Sequence, residues 1–529
     1  MGKLKEASRI CSLDPKEFVL PPEGIPDPKR AQCLKDFTTY IETQKEHFLG
    51  YQANQKMQYS DETKQFLDCH VNNIGDPFTG GNFTVNSKIM ETAVLDYYAQ
   101  LWNAKLPHSP SDPESYWGYV LTMGSSEGNL YGLWNARDYL AGRKLMVDAV
   151  SNKNKRRVCY LKAVQVKDND NAYTPVAFFS EDTHYSIIKA MRALEIPTFY
   201  EIGKEFYPGE NPLDIHGEWT IDYQEVPSQG GKDGPGCIDI DKLAILVEFF
   251  ASKGYPVLIC CNYGTTFKGA YDDVKAVEER LMPIFNKYGL VDRKVEYDTG
   301  KFDIRNGYWI HVDGALGASY MPFLEKAKAQ GRISACGPVF DFRLPIVNSI
   351  VMSGHKWPGA PWPCGIFMTK VKYQLFPPDD PEYIGSPDTT FSGSRNGYSP
   401  VILWDYLARH SYECQIDAAC SGEEMAAYAE EQLKTVAPFH SEIELWIERT
   451  PLALTVRFHK PNSRIVEKFS LSCETLEVDK VNRTYAHIFT MNSVTKELID
   501  ELVEELKQPD AFKEEPQVLL AAQRSRGWR

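Results

Sequence analysis

The sequence has no apolar run approaching the roughly 18 residues of a membrane helix, so no helical span is expected. It also lacks a basic cluster that could track a phosphate backbone. With 58 basic against 72 acidic residues the formal charge is -14, which argues against nucleic acid as a partner. Cysteine is scarce, twelve in 529 residues with no CxxC pair, so neither a disulfide framework nor a metal site is expected and a reducing, cytoplasmic setting is. The opening Met1-Gly-Lys-Leu-Lys-Glu-Ala-Ser8 has no apolar leader core, and Glu6 stands where a myristoylation signal wants Ser or Thr. Without a leader, the sequon Asn82-Phe-Thr84 reads as chance. Repeats and low-complexity segments are missing too. What is present is a chain 43% hydrophobic and 12% aromatic, enough for a large core in two or three structural units.

Residues 1–27 are rich in charge and proline and read as an extended arm, followed by near-helical apolar spacing over 27–48. Such a layer packs either on its own subunit or on a neighbour. Polar, turn-rich loops are expected at 50–55 and 72–77. From about residue 86, helical patterns alternate with short apolar strands at 176–179, 256–262, 308–313, 349–353 and 365–369, which predicts an α/β fold with a mainly parallel, mixed sheet. A helical stretch over 398–436, strands at 453–458 and 485–490 and a helix over 494–506 predict a smaller α+β unit before a loosely ordered tail. The expected organisation is an N-terminal arm and helical layer (1–85), a large α/β unit (86–400) and a C-terminal unit with a long helix (401–529).

Five strings carry candidate chemistry. Ser353-Gly-His-Lys-Trp-Pro-Gly-Ala-Pro-Trp-Pro-Cys-Gly365 follows an apolar strand and delivers Lys356 into a loop crowded with Pro, Gly and Trp. A lysine held in such a place loses its proton more easily and can attack a carbonyl, although alone it is also an ordinary loop lysine. Gly124-Ser-Ser-Glu-Gly-Asn129 opens a helix, where two hydroxyls and free amides make a phosphate cradle or merely a cap. Glu181-Asp-Thr-His184 puts an imidazole beyond a strand's carboxyl end, where it can lie on a planar ring or cap a helix. Tyr308-Trp-Ile-His-Val-Asp-Gly-Ala315 ends an apolar strand in Asp313, a costly place for a carboxylate unless it is paired. A pyridinium nitrogen is one partner and neighbouring amides are another. In Cys261-Asn-Tyr-Gly-Thr-Thr-Phe267, Thr265 and Thr266 can bond a cofactor's ring or phosphate, while Asp272 more readily holds a loop.

A phosphate cradle, a stacking histidine, a strand-end aspartate and a strand-end lysine in this order suit pyridoxal 5'-phosphate (PLP) on the PLP-dependent transferase fold type I. With His311-Val-Asp-Gly-Ala315 before Ser353-Gly-His-Lys356, the chain resembles the group II pyridoxal-dependent amino-acid decarboxylases over about residues 40–505. Gly314 departs from the Ala common in the family, a change of packing more than of chemistry. Gly50-Tyr-Gln52, Asn72-Asn-Ile-Gly-Asp-Pro-Phe78, Glu114-Ser-Tyr-Trp-Gly-Tyr119, the segment 356–370 and Asp388-Thr-Thr-Phe-Ser-Gly-Ser-Arg-Asn-Gly397 are most similar to the methionine, valine and leucine decarboxylases.

The resemblance implies that Lys356 forms the Schiff base with PLP, that Asp313 pairs with the ring nitrogen and that His184 stacks on the ring. Ser125, Ser126, Thr266, Ala315, Ser353 and His355 would hold the cofactor. It further implies an obligate homodimer in which Ser392, Gly393 and Ser394 reach the partner's phosphate. A loop over 376–388 would carry Tyr383 over the partner's site as the acid that protonates Cα. Gln52, with Tyr51 beside it, would meet the substrate side chain.

The implied reaction is decarboxylation of an aliphatic L-amino acid, L-methionine first, to its amine and carbon dioxide. A histidine or aromatic amino-acid decarboxylase and an aldehyde synthase are the alternatives among enzymes. An inactive relative serving as a binding subunit is the alternative outside them, and the intact lysine, aspartate and histidine speak against it.

Overall fold

Short apolar runs that end in polar turn residues become the strands of one six-stranded sheet. The computed structural model describes residues 13–57, 59–145, 160–374 and 381–513. The strands are β1 (Tyr116–Leu121), β2 (Val176–Phe179), β3 (Val257–Asn262), β4 (Tyr308–Asp313), β5 (Val347–Ser353) and β6 (Gly365–Lys370). Their order is β1-β6-β5-β4-β3-β2, with β2 to β5 mutually parallel and β6 antiparallel to both neighbours. All but the last residue of β6 are buried, as expected of strands covered by helices on both faces, and this is the mainly parallel α/β sheet that the alternation predicts. β1 was not foreseen. Its Tyr-Trp-Gly-Tyr start is not a plain apolar run, but it pairs along its whole length with β6.

Helices α1 (Asp27–Glu46), α2 (Lys88–Leu101), α3 (Ser125–Leu140) and α4 (Tyr185–Leu194) come from the N-terminal half. α3 lies against the sheet because Gly128 and Gly132, one turn apart, face it. A Cβ at Gly128 would strike Val351 and Leu121, and one at Gly132 would come within 3.0 Å of the His311 ring. The missing side chains let the helix approach until Asn129 reaches β4. Only Cys33 of α1 is buried, and the helix stops at Glu46, two residues before the expected end.

The C-terminal part follows the expectation with two corrections. The stretch 398–436 is two helices, α5 (Tyr398–Arg409) and α6 (Tyr412–Lys434), because the Ser411 hydroxyl accepts from the Cys414 amide and starts a new helix. The small sheet has three strands, β7 (Thr455–His459), β8 (Ser472–Val478) and β9 (Val481–Phe489), in the order β7-β9-β8. β8 escaped notice since its Ser-Cys-Glu-Thr-Leu-Glu is mostly polar and partly exposed. With α7 (Lys496–Leu506) this sheet encloses its own apolar cluster, which includes Leu49, Val456, Phe458, Ile488 and Leu502. The expected tail, 514–529, lies outside the described residues, and no helix among those described is long and apolar enough to cross a membrane.

A buried ion pair ties the segments flanking the site. Arg395 pairs with Glu91 of α2, both fully buried, and also donates to the Gly75 carbonyl at 3.0 Å. Glu91 accepts besides from the Val120 amide of β1 and from Asn73. Removing the guanidinium would strand a buried carboxylate. Arg395→Met is therefore expected to lower the unfolding free energy by about 3–5 kcal/mol, read from urea denaturation. A loss within error of zero would mean that the pair is dispensable.

Candidate active site

β5 ends at Ser353, and the loop after it is pinned by the Gly354 amide on the Cys364 carbonyl (2.8 Å) and by the buried Trp357. Lys356 therefore has little freedom. Its amine donates to Oε1 of Gln52, and burial pushes it down to about 8 against the opposing pull of Asp313. Gln52 is itself buried, and its Nε2 has no partner.

Asp313 ends β4 in register with Asn262 of β3 and Val351 of β5, so the site lies at the carboxyl ends of parallel strands. Its Oδ2 accepts from Asn129 at 2.8 Å and its Oδ1 from the Ala315 amide at 3.2 Å. Among the described residues it makes no ion pair. Asn129 also donates to Ser186 (3.0 Å) and accepts from His311 (2.9 Å). His184 caps α4, with its Nδ1 2.7 Å from the Ser186 hydroxyl. Burial holds this imidazole below the usual histidine range, helped by Lys356 and Lys189 and opposed by Asp313.

The turn before α3 is folded back by Glu127, whose Oε2 accepts from the Thr122 and Met123 amides at 2.7 and 2.9 Å. Gly124, at a φ of 69°, sits against His355 where a Cβ would collide. Ser125 meets Ser353 through both its amide (3.1 Å) and its hydroxyl (2.7 Å). Hydroxyls, the start of a helix and a neutral-leaning His355 thus converge at one end of the cavity.

The cavity measures about 240 Å³ and gathers Ser125, Ser126, His184, Thr265, Thr266, Asp313, Ala315, Ser353, His355 and Lys356 on its wall. These are the residues singled out in the sequence. Asp272 stands apart and anchors a loop, accepting from the Ile238 and Asn262 amides. Tyr51 lies outside, exposed and stacked on Phe48. Ser392, Gly393 and Ser394 do not line it, and the Ser394 hydroxyl takes a hydrogen bond from Asn72 at 3.1 Å. Tyr383 is 79% exposed and also lies off the wall. Of the expected loop, residues 376–380 lie outside the described residues, and the rest is tied down by the Asn82 amide on the Ile384 carbonyl (2.7 Å) and the Asp76 amide on the Pro387 carbonyl (2.8 Å).

Sequence reasoning missed Met123, Tyr185, Asn262 and Pro363 on the wall, and Asn129, Ser186 and His311 behind it. His311 was findable, since residues two apart on a strand share a face and Asp313 was already chosen. His487 of β9 was missed as well. Its Nδ1 and Nε2 each lie 3.0 Å from a carbonyl, those of Phe267 and Gly50, behind the Thr266 loop and the Gln52 turn.

The wall suits PLP on its own chemistry. It offers an amine near neutrality, a hydroxyl-rich cradle, and a buried carboxylate to which no protein cation is bonded among the described residues. Residues 224–443 match the model of the pyridoxal-dependent decarboxylase conserved domain. The chain is similar to the crystal structure of L-methionine decarboxylase from Streptomyces sp. 590 with L-methionine methyl ester: 48% identity, a TM-score of 0.86, and coverage of 94% of this chain and 97% of that one. It is 30% identical to a histidine decarboxylase of Solanum lycopersicum, over 90% of this chain and 89% of that protein, and 28% identical to serine decarboxylase 2 of Oryza sativa subsp. japonica, over 90% and 78%. Fold, cofactor and reaction class follow together: the chain belongs to the pyridoxal-dependent decarboxylases and is a fold type I, PLP-dependent amino-acid carboxy-lyase.

Proposed function

We propose that the substrate is an aliphatic L-amino acid, L-methionine first, converted to its amine and carbon dioxide. The observation that carries this reading is the 48% identity to an L-methionine decarboxylase across 94% of the chain. A second reading, L-histidine, draws on the 30% identity to the tomato enzyme. When bound, PLP supplies a protonated ring that takes up the electron pair left at Cα as the Cα–carboxylate bond breaks.

The chain's own residues do the rest in this proposal. Lys356 holds the cofactor covalently and yields it to the substrate's amine. Asp313 keeps the ring nitrogen protonated, and His184 covers the ring near the leaving carboxylate. Ser125, Ser126, Ser353 and His355 hold the phosphate, with Thr266 and Ala315 along the ring. Gln52 lies within hydrogen-bond reach of the lysine and turns its unpartnered Nε2 to the substrate, with Tyr51 flanking.

The proposed assembly is a homodimer in the cytoplasm. Leu34, Phe37 and Ile41 form an exposed apolar row on α1 at helical spacing, and a second copy would cover it. The ten described cysteines are free, in keeping with a reducing compartment. In such a dimer Ser392, Gly393 and Ser394 meet the partner's phosphate, and Tyr383 delivers the proton to Cα in the partner's site. A phenol keeps its proton at neutral pH yet can release it to a carbanion.

The substrate reading is tested by amine release from a panel of amino acids. L-methionine is expected to outpace L-histidine by about tenfold or more, and Gln52→Ala to compress that ratio. Faster release from histidine overturns the methionine reading; an unchanged ratio in the variant removes Gln52 from the pocket.

The amine of Lys356 sets a pH dependence. Neutral amine is the attacking form, so capture of PLP by cofactor-free protein should rise with pH and level off above about 8, not near the ordinary lysine value of about 10.4. Stopped-flow absorbance reads the curve, and a midpoint near the ordinary value contradicts the buried amine.

Tyr383 and the dimer are tested together by mixing two variant subunits. In air, Tyr383→Phe alone is expected to divert part of the flux from amine to aldehyde and ammonia, with dioxygen reduced to hydrogen peroxide, and Lys356→Ala to make neither amine nor aldehyde. A mixed dimer of the two would contain one site with an intact lysine and the partner's intact tyrosine, restoring clean amine formation. Failure to restore it, with mixed dimers present on native mass spectrometry, would place the tyrosine's action within its own subunit or nowhere.

A further inference from the structure

Several hydrogen bonds behind the cavity can be read in one direction only. The Ser186 backbone amide lies 3.3 Å from Nδ1 of His184, and an amide N–H can only donate, so Nδ1 is an acceptor and the ring proton sits on Nε2. The Ser186 hydroxyl, 2.7 Å from the same nitrogen, also donates to it and itself accepts from Asn129 Nδ2 at 3.0 Å. The second hydrogen of that Nδ2 goes to Asp313 Oδ2 at 2.8 Å. Asn129 Oδ1 then accepts from Nε2 of His311 at 2.9 Å, which leaves Nδ1 of His311 to accept from the Ser349 hydroxyl at 2.8 Å. Ser349 in turn accepts from the indole of Trp309 at 3.1 Å, again a group that can only donate.

The backbone amide at one end sets the direction of each bond as far as His311, and the indole at the other end, donating to Ser349, is compatible with it. Turning the Asn129 amide over would aim its oxygen at the Asp313 carboxylate and its hydrogens at the His311 proton. Burial pushes His311 down to about 4, so this ring is neutral, as the pattern requires.

We propose that Asn129 and Ser186 are positioning residues that lock His184 as a neutral imidazole with its hydrogen on Nε2 and, through the same amide, fix Asp313 as an acceptor. This rests on the assignment of His184 and Asp313 to the cofactor and goes beyond it. To take up a proton at Nδ1, His184 must break two bonds, one from the Ser186 amide and one from the Ser186 hydroxyl, which already faces an Asn129 N–H. His184 therefore enters the reaction as a hydrogen-bond donor at Nε2 and holds no second proton to give. The charged groups around it are Asp313 from β4, Lys356 from the loop after β5 and Lys189 on its own helix, with the Tyr185 phenol alongside; the first favours the charged ring and the two lysines oppose it.

The test is a two-bond ¹H–¹⁵N correlation on the full-length protein labelled at its eleven histidines, with and without PLP, the His184 signals being identified by their loss in His184→Gln. The expected pattern is the neutral tautomer protonated at Nε2. Ser186→Ala, which spares the Asn129–Asp313 bond, is expected to raise the His184 pKa by about half a unit to one unit. Asn129→Leu should do the same and also weaken PLP binding about tenfold or more in equilibrium dialysis. A hydrogen on Nδ1, or a His184 titration unmoved by Ser186→Ala, overturns the proposal, as does unchanged PLP affinity in folded Asn129→Leu. If instead Asp313→Asn leaves PLP affinity intact while Ser186→Ala still moves the titration, it is the cofactor assignment that fails and not the network.

Discussion

A carboxylate at the end of a fully buried strand is the constraint on which the site depends. Among the described residues Asp313 is bonded by neutral donors alone, Asn129 and the Ala315 amide. Two neutral hydrogen bonds orient such a group without cancelling its charge. The remaining charge favours a cationic partner at this place. The same charge opposes the burial that drives the Lys356 amine towards neutrality, and it reaches His184. Burial lowers both the lysine and the histidine, and the one carboxylate at the end of β4 opposes it at each.

Much of this was legible in the sequence, because the chemistry sits where periodicities break. The apolar runs before Asp313 and Ser353 stop at residues that no buried strand carries without cause, and both became strand ends in the cavity wall. The hydroxyl-lined part of the wall was legible as a helix start with two hydroxyls. What could not be read was whatever depends on neighbours distant in sequence. β1 and β8 carry glycine, tyrosine or polar residues, and their strand state is supplied by pairing with β6 and β9.

Asn129 shows the same limit within the site. It stood in a string already singled out, but its partners come from β4 and α4, and nothing local tells an inward asparagine from a capping one. The two glycines that bring α3 down onto the sheet were equally silent, since close approach is a property of two surfaces. The reach of Tyr383 and of Ser392 to Ser394 belongs to a second subunit by resemblance alone; within one chain they line no part of the cavity.

His487 adds a different kind of constraint. Both of its ring nitrogens face carbonyl oxygens, and burial holds it down to about 4, so at neutral pH it owns a single N–H. One hydrogen is shared between two acceptors, and at any instant either the Gly50 or the Phe267 carbonyl goes without. The turn that presents Gln52 and the loop that presents Thr266 are in competition for the same bond. Tightening one loosens the other, so the two segments cannot both be at their most rigid in the same moment.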